Sequence, residues 1–337
     1  MNEKILIIGP AWVGDMVMAQ SLFKLLKQRQ PRVQIDVLAP AWSLPLLQRM
    51  PEISAGLEMP FTHGQVALLE RYRLGKMLRA QYRQAILLPN SFKSALVPFF
   101  ARIPQRTGWC GEMRYGVVND LRYLDKERYP LMVERFMALG LSAGESLPKE
   151  YPLPQLTFSQ ESQAGVLAIH QLEYPQRPVL ALCPGAEFGS AKRWPETYYA
   201  DVANAKLAED WDVWLLGSAK DREIADNIMQ LTEQRCVNLA GRTSLVDAVD
   251  LLSLAAGVVS NDSGLMHIAS ALKKPLVVVY GPTAASFTPP LHSQAKVLSL
   301  ALECQPCFKR VCPLEHHRCM LDLKPAQVLS VISEWGS

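Results

Sequence analysis

The chain has 337 residues, 49% of them hydrophobic and 20% charged. At roughly 100–200 residues per domain this is enough for two domains of ordinary globular composition, which excludes wholesale disorder. The net charge of +3 hides an asymmetry: residues 1–150 carry 20 Lys+Arg against 13 Asp+Glu, and residues 151–337 carry 15 against 19. The first half should therefore prefer an anionic partner, whether nucleic acid, an anionic membrane surface or a phosphorylated substrate.

The N-terminus, MNEKILIIGP, has a short apolar run that stops at Gly-Pro. It is too short for the core of a signal peptide, and no later stretch approaches the ~20 apolar residues of a membrane span, so a cytoplasmic location is expected. KILIIG reads as a buried strand and DMVMAQSLFKLLKQR as a helix. VQIDVLAP (strand), a helix through LPLLQRM, the helix QVALLERYRLGKMLRA and the strand QAILLPN follow. The pattern is untidy from about Tyr115 to Leu156, where a helix through LMVERFMALG leads into SAGESLPKEYPLPQLTFS, the best linker. A second series then alternates: PVLALCPG, ETYYADVANAKLA, WDVWLLGS, KDREIADNIMQLT, CVNLAG, SLVDAVDLLSLA, GVVSND, SGLMHIASAL and PLVVVYGP. A last helix, PAQVLSVISEW, starts near Pro325. Continuous apolar strands separated by helices indicate parallel sheets covered on both faces. The expected class is α/β: two doubly wound parallel-sheet domains facing each other across a cleft. Residues 1–155 and 156–322 are the two domains, and residues 323–337 form a C-terminal helix free to pack back on the first. In such sheets ligands bind at the carboxyl ends of the strands.

The loops at those ends carry the chemistry. Gly9-Pro-Ala-Trp-Val-Gly14-Asp15 has the glycine spacing of a phosphate-binding loop, but Asp15-Met16 stand where Lys and Ser/Thr are needed. ATPase or kinase chemistry is thereby disfavoured. An ionised Asp15 at a helix N-terminus is placed to take a proton from a hydroxyl; the alternative is a plain helix cap. Ser260-Asn261-Asp262-Ser263-Gly264 enters a helix, so its free N–H groups form an anion site, with His267 one turn on. The alternative is a capped helix with a buried histidine. Gly185 to Pro195 brings Lys192 and Arg193 after small residues, which suits a diphosphate; the alternative is a solvated basic turn anchored by Trp194. Gly217-Ser-Ala-Lys220-Asp221 is a fourth strand-to-helix loop placed to reach a ribose or base; the alternative is that Asp221 only caps its helix.

In the first half, Asn90, Ser91 and Lys93 follow the strand AILLP, and Arg102, Arg106, Arg114 and Arg122 come soon after. With Arg71 and Arg73 they fit a site for an anionic acceptor, although scattered surface arginines would look the same. Cys304, Cys307, Cys312 and Cys319, with His316 and His317 between them, suggest either a closed structural zinc site or reduced, redox-sensitive thiols. Any metal is therefore left unknown.

Taken together, GPAWVGDMVMAQSL, LPNSFKSALVPFFARIPQRTGW, CPGAEFGSAKRWP, GSAKD, NDSGLMHIASAL and YGPT…FTPP resemble the ADP-heptose–lipopolysaccharide heptosyltransferases over nearly the whole chain. The resemblance implies the GT-B architecture of two Rossmann-like domains. It implies inverting transfer of L-glycero-D-manno-heptose from ADP-heptose to the first heptose of the lipopolysaccharide inner core, with no metal or other cofactor required. By the same resemblance Asp15 matches the general base and Lys192 the residue on the donor phosphates. Asp262, Ser263, Gly264 and His267 match the nucleotide loop, and Thr243 lies where a neighbouring loop would meet adenine. Asn90, Ser91, Lys93, Arg106 and Arg114 fall to the acceptor. A peripheral position at the cytoplasmic face of the inner membrane is implied. The Cys-rich stretch lies outside this pattern. The competing readings are addition of a first or third heptose by the same family, or a nucleotide-sugar epimerase on the same scaffold. No nucleic-acid-binding motif accompanies the basic residues.

Overall fold

Runs such as Ile5–Ile8 and Leu276–Tyr280 leave no polar face for water, so each must be covered on both sides. The structure, a computed structural model, describes residues 4–61 and 65–335. It divides into two compact units, Met1–Pro154 and Gln155–Ser337.

In the first unit β1 (Lys4–Ile8), β2 (Gln34–Ala39), β3 (Ala55–Glu58), β4 (Gln84–Leu87), β5 (Gln105–Trp109) and β6 (Asp120–Arg122) form one sheet. The order is β3-β2-β1-β4-β5-β6, with every pairing parallel. The second unit builds its sheet from β7 (Val179–Cys183), β8 (Asp212–Leu215), β9 (Val237–Asn238), β10 (Gly257–Asn261), β11 (Leu276–Tyr280) and β12 (Ala295–Ser299). Its order is β12-β11-β10-β7-β8-β9, again parallel throughout. Counted from the first strand of each unit, both orders are 3-2-1-4-5-6, the doubly wound Rossmann arrangement. The direction of winding reverses between β1 and β4 in one unit and between β7 and β10 in the other. Loops leaving those four strands are therefore the ones a ligand meets.

The inner strands are fully buried, and each Ile, Leu or Val there contributes about 1.5–3 kcal/mol by leaving water. Helix Val13–Arg29 covers the first sheet and packs on Met132–Ala138; helix Leu68–Met77 packs on Leu96–Phe100. In the second unit the helix Glu196–Ala208 contacts Arg222–Leu231. The last helix, Pro325–Ile332, which the sequence left free to pack on the N-terminal domain, lies on Glu196–Ala208, β11 and β12 of its own unit. Val328 and Ile332 join that unit's core, and Trp335 fills the space over Gly257. Among the described residues no helix is long and apolar enough to cross a membrane.

Candidate functional site

β10 pairs directly with β7, so the loops that leave them are neighbours. The β7 loop ends in a 3-10 turn, Ser190–Lys192, and the β10 loop enters the helix Gly264–Ala271. Lys192 Nζ stands 2.6 Å from Asp262 Oδ2 and also donates to the Asp262 carbonyl at 3.3 Å. Thr283, on the loop after β11, donates its hydroxyl to the same carboxylate oxygen at 2.5 Å. Asp262 is buried and the Lys192 side chain nearly so. The ammonium also sits 4.9 Å from the centre of the Phe188 ring. Asp262 thus serves as the counter-ion that fixes one cation, rather than as a free carboxylate.

The helix that follows begins with Ser263 in an extended conformation, with no side-chain cap bond and no acidic residue in the first turn. Its leading N–H groups therefore have no carboxylate or hydroxyl competing with an anion. His267 is on this helix and only 6% exposed. Burial holds its pKa down to about 4; nearby Asp262 opposes that shift and Lys192 adds to it. The imidazole is consequently neutral near pH 7, a hydrogen-bonding group rather than a cation. Asn261 ties the two loops together. Its side chain donates to the Pro184 carbonyl at 2.6 Å and accepts from the Trp194 N–H at 3.2 Å and the Tyr199 hydroxyl at 3.0 Å.

In the fourth loop the Asp221 carboxylate is taken up within the loop itself. Asp221 Oδ2 accepts from the Ser218 N–H at 2.9 Å and hydroxyl at 2.7 Å, and Gly185 and Gly217 both pack against the carboxylate. Asp221 is a buried cap. Thr243 lies beyond β9, its hydroxyl 3.4 Å from the Leu239 carbonyl, on a loop that reaches the Ser218 loop through Gly241 N–H and Gly217 O.

The Cys-rich stretch braces the β7 loop from behind. The Arg310 carbonyl accepts from Ala191 N–H, Phe308 N–H donates to Pro282, and Gln305 donates to Gly281 at 2.7 Å. A Cβ on Gly189 would lie 2.3 Å from the Arg310 oxygen, so only glycine admits this approach. Cys304, Cys307, Cys312 and Cys319 line one small cavity with His316 and His317. Burial, and then the Cys312, Cys304 and Cys307 thiols, push the Cys319 thiol up to about 11. Among the described residues no three His, Cys, Asp or Glu side chains are grouped to hold a metal ion.

In the first unit β1 pairs with β4. The β1 loop delivers Asp15 to the first turn of its helix, half-buried, with Trp12 exposed beside the helix start. The β4 loop delivers Asn90, exposed, then Ser91 and Lys93, half-buried. The arginines behave otherwise than expected. Arg114 is 1% exposed and spends its guanidinium on the Trp109 and Pro89 carbonyls and on Asn90 Oδ1 at 3.3 Å. It clamps the loops after β4 and β5 and has no face to offer an acceptor. Arg106 gives Nε to Val117 O and Nη1 to Ile103 O, each at 2.6 Å. Arg122 bonds Asp120 and the Ala138 and Leu141 carbonyls, and Arg71 is buried on the Val66, Lys93 and Gln65 carbonyls. Much of the basic surplus of the first half therefore holds the fold together.

Comparison with known proteins agrees with this geometry. The model of glycosyltransferase family 9 (heptosyltransferase) matches residues 71–318. Lipopolysaccharide heptosyltransferase 2 of Salmonella typhimurium is 48% identical, over 99% of this chain and 99% of its own. Lipooligosaccharide heptosyltransferase 2 of Haemophilus ducreyi is 47% identical, over 98% and 99%. The solved structure of E. coli ADP-heptose LPS heptosyltransferase II superposes with a TM-score of 0.88 at 47% identity, covering 98% of this chain and 97% of that one. With two Rossmann-type units and this likeness along its whole length, the chain belongs to glycosyltransferase family 9, the heptosyltransferases.

Proposed function

We propose that the chain transfers L-glycero-D-manno-heptose from ADP-heptose to the first heptose of the lipopolysaccharide inner core, with inversion, needing no metal or other cofactor. The observation that carries the donor half is the Thr283–Asp262–Lys192 chain of contacts beside the uncapped N-terminus of helix Gly264–Ala271. Lys192 and those N–H groups stabilise the charge that gathers on ADP as its bond to the anomeric carbon breaks. Ser263 and Gly264 allow close approach, neutral His267 offers a hydrogen bond to a phosphate oxygen, and Thr243 meets the adenine end. The acceptor hydroxyl attacks the anomeric carbon and gives its proton to Asp15, whose ionised form the helix N-terminus favours. Asn90, Ser91 and Lys93 hold the acceptor. The enzyme works in the cytoplasm, in peripheral contact with the inner face of the inner membrane, where a lipid-anchored acceptor is presented.

The test is transfer from ADP-heptose to a core oligosaccharide ending in its first heptose, followed by mass analysis. Asp15→Ala should lose about 10²–10⁴ in turnover while ADP binding is unchanged. Unchanged turnover removes the base assignment. Transfer only to an acceptor lacking the first heptose removes the acceptor assignment.

A further inference from the structure

Helix Leu68–Met77 carries apolar side chains on its outer side as well as its inner one. Its buried residues are Arg71 and Gly75, while Leu68, Leu69 and Met77 are 56, 55 and 72% exposed and Tyr72 is also in solvent. Inward, Leu74 packs half-buried against the first unit's core and Leu78 just beyond the helix is buried in it. The Arg71 guanidinium donates to the Val66, Lys93 and Gln65 carbonyls and lies 3.8 Å from the Phe61 ring centre. Gly75 meets the helix Leu96–Phe100 at a separation where a Cβ would stand 2.6 Å from Phe100 Cβ and 2.8 Å from Val97 O. On the outward side the 3.6-residue period brings Leu69, Arg73, Lys76 and Met77 together, with Glu70 the one acid on the helix. Arg73 and Lys76 are both exposed.

Leu68, Leu69, Tyr72 and Met77 gain nothing from water, and apolar side chains grouped on one helix mark a contact surface. The cations between them select the contact. A protein core would have to bury Arg73 and Lys76 at a cost, whereas a layer of acyl chains under anionic headgroups takes the apolar side chains and keeps the cations at the phosphate level. We infer that the outward face of helix Leu68–Met77 is a docking surface for an anionic phospholipid membrane; this rests on, and deepens, the reading of an enzyme at the membrane face. The acceptor proposed above is itself lipid-anchored, so such a surface brings the first unit to its substrate.

The full chain is to be sedimented with vesicles of phosphatidylglycerol and phosphatidylethanolamine, and with vesicles of phosphatidylcholine alone. The wild-type chain should partition onto the anionic vesicles. The double variant L69E/M77E should lose about tenfold or more of that binding. The variant K76Q should lose about fivefold on anionic vesicles and nothing on phosphatidylcholine. All three proteins should turn over a water-soluble, deacylated acceptor at the same rate, which shows that they are folded. Wild-type binding that L69E/M77E leaves intact overturns the surface, as does equal binding to both vesicle types. A wild-type dimer in sedimentation velocity that L69E/M77E converts to monomer overturns it in favour of a second copy. A wild-type chain that binds neither vesicle, yet turns over the soluble acceptor, removes peripheral attachment while leaving the transferase reading intact.

Discussion

His267 shows how far one buried side chain can couple the site to pH. Its pKa falls from 6.5 to about 4 on folding, chiefly because burial penalises the cation. Below pH 6.5 the unfolded chain takes up a proton that the folded chain refuses, so stability is lost as pH falls from about 6.5 to about 4. The loss from this group is about 2 kcal/mol by pH 5. His267→Gln removes it. In urea unfolding at about pH 7 and about pH 5, the wild-type chain should lose about 2 kcal/mol more than H267Q over that interval. An equal loss in both proteins would mean that the imidazole titrates normally. Thr283 is the second residue whose role is local and testable. Its hydroxyl is one of two donors to Asp262 Oδ2, the other being Lys192. Thr283→Val keeps the shape and removes the donor, so the carboxylate, and the ammonium it fixes, lose a restraint. Apparent KM for the sugar nucleotide should rise about tenfold, the worth of a hydrogen bond to a charged group, with kcat less affected and T283S restoring both. A KM that T283V does not move would show that Lys192 is held by Asp262 alone.

Among elements, the interlocked pair Leu68–Met77 and Leu96–Phe100 makes the sharpest demand on sequence. Alanine is worth ~1 kcal/mol more than glycine inside a helix, so Gly75→Ala would stabilise this helix in isolation. Here its Cβ meets Phe100 Cβ and Val97 O inside contact distance, and much of what it meets is backbone that cannot step aside cheaply. The net result should be a destabilisation of about 1–3 kcal/mol, seen as a lowered urea midpoint. A raised midpoint would show that the two helices separate freely. This pair also marks where the sequence is legible and where it is not. Buried strands such as β1, β7 and β11 are apolar runs that can be read directly. β3 (AGLE), β12 (AKVLS) and the helix Gln160–Ile169 escape, because the two strands are largely exposed sheet edges and the helix buries only Gln163, Val166 and Leu167. The spacing of QVALLERYRLGKMLRA does predict a helix. It cannot say that Leu68 and Leu69 face water while Leu74 packs inward, because that depends on Arg71 finding three carbonyls from Gln65, Val66 and Lys93. Arg114 misleads for the same reason: the residue type announces a cation, and only the fold discloses that carbonyls already occupy it. Lys192 and Asp262 are legible as loop residues at strand ends, whereas Thr283 joins them only when β11 is laid beside β10.

For the molecule as a whole, net charge is a poor guide to where an anion binds. Residues 151–337 carry 15 Lys+Arg against 19 Asp+Glu, yet they hold the loops proposed above for the nucleotide diphosphate. On the proposed donor site, a single ammonium pinned by Asp262 and one uncapped helix start would outweigh a diffuse negative surplus, because both act at contact range while surface charges are screened within about 10 Å. The units each have their own buried cluster, Leu180 to Ile332 in the second and Leu6 to Val118 in the first. A ligand that binds the second unit alone should therefore protect that unit alone. At a hundred times its Kd, ADP stabilises the form that binds it by about 2.7 kcal/mol, or about a hundredfold in the population of the opened state. Hydrogen exchange of β7 and β10 amides should slow by that factor on addition of ADP, while β1 and β4 amides change little. D15A should show the same pattern on the proposed mechanism, in which the carboxylate serves the hydroxyl rather than the nucleotide. Equal slowing in both sheets would mean that the units open together or share the nucleotide. Slowing in neither would place ADP elsewhere than on the Lys192 and Asp262 loops.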